Sequence, residues 1–477
     1  MTPVKRMHNR LERLQKHLDR ESPMLVSVVG RFRKLDIISR EMGLLQNDES
    51  YATQISWWPL VSVLGTFSAG KSSFINSYLG IDVQNTGNQA VDDRFTVLTY
   101  SSDSDAEVRT LPGIALDGDP RFPFYQISKD IEDVTEGEGA RIDNYLQMKA
   151  VPSEQLRGKI LIDSPGFDAD EQRKATLKIT DRIIALSDLV LVLFDARHPE
   201  PGAMQDTLEH LVKGSQRRND SSKFLFILNQ IDTSAKEDNM EEIVAAWQKS
   251  LVQSGLNTGR FYVIFNEDVS TPVENKSVWE RYLKKREVDY TEITKRIKDM
   301  DIDRIYRIIG SLESLSNQIE QQAVPQLQIA MKRWKKRVII TDVVLILPLI
   351  LGAIASAFMT GFSDVIIANV QASPLTGLIG GAVILFLIYL LHQFIRSKLA
   401  NGIARKLNTE DSFGNIANAF RKSTRWWRSI FSSTPAGWGN SVRKKLDAIR
   451  SDIDNYVQSL NDQYTSPAGK KDTDDIV

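Results

Sequence analysis

Cysteine is absent from all 477 residues. Disulfides and cysteine-ligated metals are therefore excluded, which fits a reducing compartment. Net charge is almost absent too, with 60 Lys and Arg against 61 Asp and Glu. The chain as a whole lacks the basic excess of a nucleic-acid binder, and no nucleic-acid partner is expected. No apolar run opens the sequence: MTPVKRMHNRLERLQKHLDRE is charged, so a secretory signal is not expected. Internal repeats are also missing. The length exceeds one ordinary domain and suggests two or three.

Two long apolar segments stand out against this charged background. Val338 to Thr360 carries one charge, Asp342, and Leu375 to Ile395 carries none beyond the titratable His392. Each can cross about 30 Å of hydrocarbon at about 1.5 Å per residue. Lys332, Arg333, Lys335, Lys336 and Arg337 precede the first, and Arg396 and Lys398 follow the second. The connection GFSDVIIANVQASP has neither Lys nor Arg. The positive-inside rule then places both termini in the cytoplasm and the loop outside. An integral, two-helix membrane protein is expected, with the bacterial inner membrane as first choice and a cytosol-facing organelle as the other. Gly377 and Gly381 form a G-x-x-x-G pair that would let the helices pack closely.

The remaining chain divides by pattern. Residues 1–55 read as helical, with Leu11, Leu14 and Leu18, then Val29, Phe32 and Leu35, at helical spacing. Residues 56–270 alternate strands and helices, with strand candidates at Pro59–Leu64, Lys159–Ile162, Leu189–Phe194, Phe224–Leu228 and Phe261–Phe265. This predicts an α/β domain, a mostly parallel sheet flanked by helices. Residues 271–337 read as a charged helical stalk running into the hairpin at 338–395. Residues 396–477 hold 12 Lys and Arg against three acids between Arg396 and Arg450. Within them Ser412–Phe431 puts Phe413, Ile416, Phe420, Trp427 and Phe431 on one helical face, which suits either a bilayer interface or a helical bundle. Val442, Leu446, Ile449, Ile453, Tyr456 and Leu460 mark a further amphipathic helix before a polar tail.

The chemistry is carried by GTFSAGKSS, residues 65–73, directly after an apolar run. Gly65, Gly70, Lys71 and Ser72 fit G-x-x-x-x-G-K-[ST], a loop whose N–H groups cradle phosphates. Gly65, Thr66, Phe67, Ser68, Ala69, Gly70, Lys71, Ser72 and Ser73 are the candidate phosphate-binding residues. Lys71 would reach the β- and γ-phosphates, Ser72 would ligate Mg²⁺, and a helix starting at Ser73 would aim its dipole at the anion. Downstream, Asp163-Ser164-Pro165-Gly166 ends a strand in D-x-x-G. Asp163 can hold Mg²⁺ through water, and the Gly166 N–H can sense the γ-phosphate. Asn229-Gln230-Ile231-Asp232 ends another strand: Asp232 can accept from guanine N1–H and N2–H while Asn229 braces the loop.

The segments GTFSAGKSSFIN, LIDSPGFDADEQR, LVLVLFDARHP and ILNQID together resemble the dynamin superfamily. They are most similar to EHD-type ATPases and bacterial dynamin-like proteins, and the hairpin is similar to that of mitofusins and atlastins. The resemblance covers about Trp57 to Val269 and implies GTP as substrate, Mg²⁺ as cofactor and self-association through the G domains. It implies Lys71, Ser68 and Asp163 as the catalytic set, with Ser68 also at a dimer interface. Fission dynamins carry a glutamine at Phe67, whereas EHD-type proteins carry a bulky aromatic. A phenyl ring cannot orient water by hydrogen bonding. The family's switch usually supplies a threonine to Mg²⁺; here Ala90-Val91-Asp92-Asp93-Arg94-Phe95 puts Asp92 in its place. Asp92, Thr86 and Thr96 are the substitutes open to the metal. Gln230 stands where lysine is usual, and EHD-type proteins bind ATP, so adenine stays open beside guanine.

The expected function is a membrane-anchored, dynamin-like GTPase that tethers, remodels or fuses membranes through G-domain pairing, with the lipid bilayer as partner. The alternative is a nucleotide-gated scaffold or signalling switch with little hydrolysis. A transporter is disfavoured, since two helices enclose no path without oligomers.

Overall fold

The computed structural model describes residues 2–21, 23–66, 68–86, 94–101, 107–117, 119, 127–128, 132, 139–166, 173–197, 223–253, 260–267, 270, 273–361, 363, 367, 371, 374–407 and 413–464. Phe67, Asp92 and the switch residues 90–93 lie outside the described residues. The chain forms two compact units. The first comprises Asn9–His17 and Thr53–Ile308, and the second Met1–His8, Leu18–Ala52 and Ile309–Val477.

The first unit is built on an eight-stranded sheet of order β3-β4-β2-β5-β1-β6-β7-β8. Its strands are β1 (Leu60–Gly65), β2 (Phe95–Tyr100), β3 (Arg109–Pro112), β4 (Leu146–Val151), β5 (Ile160–Asp163), β6 (Leu189–Asp195), β7 (Phe224–Asn229) and β8 (Phe261–Val263). Five pairings are parallel and two, β2 with β5 and β3 with β4, are antiparallel. The sheet is therefore mixed, and the parallel core β5-β1-β6-β7-β8 is the part that apolar runs reveal. Those strands are apolar at successive positions because both faces are covered. Val61, Val63, Leu191 and Leu193 pack with Phe74, Ile75 and Tyr78 of α3 (Lys71–Leu79). Leu64, Val190, Val192 and Phe194 pack on the other face with Ile184 of α5 (Arg173–Leu186) and with Trp247 and Leu251 of α6 (Met240–Gln253). A short α4 (Ile114–Asp117) follows β3.

The expected stalk is helical, but its first part is built into the sheet unit. In α7 (Lys276–Gln318), Ile293, Ile297 and Met300 join the core beneath α3. Two fully desolvated carboxylates fasten it further. Asp289 accepts from Val263 N at 2.8 Å and from Lys285 at 2.8 Å, and pairs with Arg260 at 2.5 Å. Asp188 accepts from Leu60 N at 2.9 Å and from Arg304 at 2.8 Å, tying α7 to the root of β1.

The second unit is helical. Among its helices are α2 (Pro23–Met42), α8 (Val324–Met359), α9 (Pro374–Ala404), α10 (Ile416–Ser423) and α11 (Asn440–Tyr464), while α1 (Pro3–Glu21) is shared between the units. A π-turn at Ile319–Ala323 separates α7 from α8. Arg450 of α11 meets this turn, pairing with Glu320 at 2.7 Å. The helical series read from sequence is interior: Phe32 and Leu35 on α2 and Leu446, Ile449 and Ile453 on α11 are all buried. Asp36 is buried between donors, accepting from Ser50 Oγ at 2.5 Å and Tyr51 N at 2.9 Å. Desolvation pushes its carboxyl up to about 6, against the pull of those donors and of Arg40 and Arg33.

The helices α8 and α9 are long and apolar enough to cross a membrane. Their side chains are exposed in a continuous apolar band, with Phe358, Leu349, Leu378 and Leu385 each more than 60 % accessible. Soluble folds rarely show so large an apolar surface.

One expectation is corrected here. Ser412–Phe431 is not a single amphipathic helix; within it the helix spans only Ile416–Ser423. Ile416 and Phe420 are fully buried, and Phe413 stacks on Tyr51 at 6.1 Å. The reason is tertiary. Asn418 and Lys422 donate to the Gly43 and Arg40 carbonyls at 2.9 Å, so α10 caps the end of α2.

Candidate nucleotide site

The loop after β1 lies at the carboxyl edge of the parallel core, where open α/β sheets take ligands. Its shape follows from two left-handed residues, Ser68 (φ 61°) and Gly70 (φ 80°). Alternating left-handed positions turn successive N–H groups inward into an anion-binding concavity. At Gly65 an added Cβ would stand 2.7 Å from the Leu193 carbonyl, and at Gly70 it would collide with the Asn229 amide. Glycine is thus required twice, for contact at one position and for both contact and φ at the other. Gly70 also begins α3 with no side-chain cap, which leaves that helix's first N–H groups for a ligand.

Lys71 is buried beneath the loop and donates to the Gly65 and Thr66 carbonyls at 3.0 and 3.1 Å. Burial pushes its ammonium down, and the Asp163 carboxylate opposes that shift. Ser72 and Ser73 follow it in the first turn of α3. Asp163 ends β5 and its Oδ2 accepts from Gln84 Nε2 at 2.6 Å. Gly166 lies just beyond, in irregular chain after Ser164, whose N–H bonds the Val63 carbonyl at 3.1 Å. Thr96 is opposite Asp163 in the antiparallel register, and its hydroxyl accepts from Gln147 at 2.8 Å.

The end of β7 locks onto the loop from the side. Asn229 Nδ2 donates to the Ala69 carbonyl at 2.9 Å, and Gln230 Nε2 donates to the Ser68 carbonyl at 2.7 Å. Gln230 is itself left-handed (φ 64°), its N–H satisfied by Asn229 Oδ1 at 2.9 Å. Two strained turns therefore brace each other, and Gln230, in the place of a lysine, serves as a strut for Ser68. Asp232 sits in the 3₁₀ turn that follows, buried at its residue surface. The Arg197 guanidinium is held above its ordinary range by its hydrogen bonds to Asp195 and, further, by the charges of Asp195 and Asp232.

Three residues escaped the motif reading. Gln84 bridges Asp163 to Lys149, whose ammonium donates to Gln84 Oε1 at 2.6 Å. Asn76 of α3 holds this segment in place, accepting from Val83 N at 3.0 Å and Gln84 N at 2.9 Å. No spacing rule links positions 76, 84, 149 and 163. The only sequence signal is that Gln84 comes shortly before the switch segment.

Mg²⁺ can be tested against the donor set. Ser72 and Asp163 offer only hard oxygen ligands, and Lys71 is electrostatically coupled to Asp163. Such a pair suits a cation that keeps several waters and shares its ligands with phosphate oxygens.

Comparison with known proteins agrees with this geometry. Residues 61–231 match the Dynamin family. EH domain-containing protein 2 of Arabidopsis thaliana is 23 % identical over 262 residues, covering 52 % of this chain and 45 % of that protein. The chain thus spans about half the length of the curated relative it matches. Among solved structures, two of a bacterial dynamin pair, described as oligomerised and as a mechanism for long-range sensing and tethering of membranes, align over 96 % of this chain. They cover 78 % and 79 % of those chains at 14 % and 15 % identity, with TM-scores of 0.31 and 0.33. Toc33 of Arabidopsis thaliana, solved with Mg²⁺ and GMPPNP, aligns over 59 % of this chain and 93 % of its own at 15 % identity and TM-score 0.27.

Proposed function

From the premise that residues 61–231 are a domain of the dynamin family, we propose that this chain is a membrane-anchored GTPase. Its hydrolytic cycle would pair G domains and so tether or remodel the bilayer in which α8 and α9 are embedded. The observation that carries the reading is the meeting of three separate segments at one sheet edge: the Gly65–Ser72 loop, Asp163, and the Asn229–Asp232 turn that grips the loop. The two exposed apolar helices on the same chain supply the membrane half of the proposal.

We assign the residue roles from motif, resemblance, position and charge together. Lys71 exchanges its two loop carbonyls for β- and γ-phosphate oxygens, a stronger, charge-assisted pairing. Ser72 and Asp163 would hold Mg²⁺, with Asp92 as the switch-side candidate. The metal, when bound, neutralises charge developing on the transferred phosphoryl group. Gly65, Thr66, Ser68, Ala69, Gly70 and Ser73 offer backbone and first-turn groups to the phosphates, and the Gly166 N–H reports the γ-phosphate. Asp232 reads guanine through its paired N–H groups, while Asn229 and Gln230 keep the loop shaped. Ser68 would face a second G domain across the site, as the resemblance to dynamin-superfamily proteins implies. The hairpin's basic flanks support cytoplasmic termini, and the inner membrane of a bacterium is the proposed location.

The test is turnover by the full chain, in detergent and in liposomes, with GTP or ATP. GTP turnover that rises with protein density on the liposome supports the reading, as does its loss in Lys71→Ala. Asp232→Ala should reduce the preference for GTP over ATP more than it reduces triphosphate affinity. Negligible turnover at every density, with nucleotide binding intact, would establish the scaffold or switch instead.

A further inference from the structure

The turn between α10 and α11 displays Trp426, Trp427 and Phe431, each more than half exposed. Apart from the apolar helices, they are the only exposed aromatic cluster among the described residues. The backbone beneath them is fastened by side-chain hydrogen bonds. Arg396 is almost fully buried at the end of the apolar stretch of α9. Its guanidinium donates to four carbonyls of the turn: Thr424 at 3.4 Å, Arg425 at 2.9 Å, Trp426 at 3.3 Å and Arg428 at 2.9 Å. Arg396 is itself set by Trp334 of α8, whose Nε1 donates to the Arg396 carbonyl at 3.1 Å and whose ring lies 5.3 Å from the guanidinium. Ala436 N donates to Ser423 Oγ at 2.9 Å, which closes the far side of the turn.

One buried cation therefore joins the bases of both apolar helices to a turn that points aromatics outward. The surroundings are basic. The Lys335 ammonium lies 4.8 Å from the Phe431 ring, and the Arg425 guanidinium lies 5.0 Å from the Trp427 ring. Aromatics with a polar edge, interleaved with Lys and Arg at the end of a hydrocarbon-length helix, match the headgroup zone of a bilayer. The depth is fixed by the chain: Arg396 directly follows Ile395, the last residue of the apolar run.

We propose that the Thr424–Thr434 turn is an interfacial clamp, in which Trp426, Trp427 and Phe431 seat among the headgroups of the leaflet where α8 and α9 end. Arg425 and Lys335 would meet anionic lipid phosphates beside them. This deepens the proposed membrane anchoring and rests on it. Because Arg396 holds the turn against the helix bases, the clamp engages the protein's own leaflet and fixes the hairpin's base to it.

The chain has no native cysteine, so single labels are clean. Ser429→Cys in the turn, Ser451→Cys on α11 and Leu385→Cys within α9 would each carry a spin label. The full-length protein would be placed in vesicles of phosphatidylcholine with and without phosphatidylglycerol, and depth read from oxygen against aqueous nickel-chelate relaxation. The expected result is headgroup depth at Ser429, water at Ser451 and hydrocarbon at Leu385. Ser429 should sit deeper with phosphatidylglycerol, and should lose its lipid signal in a Trp426→Ser/Trp427→Ser background in which GTP binding persists. Water at Ser429 with hydrocarbon at Leu385 overturns the clamp alone; water at both overturns the anchoring with it. A Ser429 signal that arises only when protein-free vesicles are added would mean an opposing bilayer, and immobilisation without oxygen access would mean a second copy. Either result refutes the proposal.

Discussion

Replacing Gly70 by alanine tests the bracing of the loop most directly. A methyl group there meets two costs. The left-handed backbone at φ 80° disfavours an L side chain by about 1–2 kcal/mol. The new Cβ also collides with the Asn229 amide, which must swing away and give up its 2.9 Å bond to the Ala69 carbonyl. That loss is about 1 kcal/mol. Together they predict a destabilisation of about 2–3 kcal/mol. For a domain of this size that is a fall in unfolding temperature of roughly 4–12 °C. In an Asn229→Ala background the collision and the hydrogen bond are already gone, so the same substitution should cost only the backbone component. The coupling between the two sites is then about 1 kcal/mol. Calorimetry of the full chain in detergent, without nucleotide, measures all four corners of the cycle. A fluorescent GTP analogue should bind roughly tenfold more weakly to Gly70→Ala, a loss of about 1.4 kcal/mol. Additive effects within about 0.3 kcal/mol would show that Asn229 is not what Gly70 must avoid, and the bracing argument would fail.

Two further outcomes follow from other parts of the molecule. Asp36 has its folded pKa raised from 3.8 to about 6, so its contribution to stability is full below its unfolded value and is lost as pH rises through about 6. The helical unit should therefore lose up to about 3 kcal/mol between about pH 4 and pH 7 through this group, and Asp36→Asn should flatten that slope in urea titrations; an unchanged slope would show that another group is responsible. Topology can be read with single cysteines in native membranes: Ser363→Cys should react with an impermeant maleimide from outside, and Ser451→Cys only after permeabilisation, whereas labelling of both from one side would rule out a spanning hairpin.

Sequence alone determined the parts whose information is local. The Gly65–Ser72 spacing, the two hydrocarbon-length runs, and the helical series of α2 and α11 were legible because each is a repeat or motif within one segment. The parallel core strands were legible for the same reason, since burial on both faces makes them continuously apolar. Strands β2, β3 and β4 were not, because their pairing is set by partners many residues away and β3 is exposed at the sheet edge. Tertiary structure alone decided the fate of Ser412–Phe431. Its aromatic pattern fits a membrane face and a bundle core equally well. The Gly43 and Arg40 carbonyls at the end of α2 drew Phe420 inside, while Arg396 held Trp426, Trp427 and Phe431 out. The same holds at the nucleotide loop. That Gln84 grips Asp163 and that Gln230 supports Ser68 follows from where the strands end. Hydrogen bonds across 79 and 162 residues are set by the closed sheet and leave no periodicity in the chain.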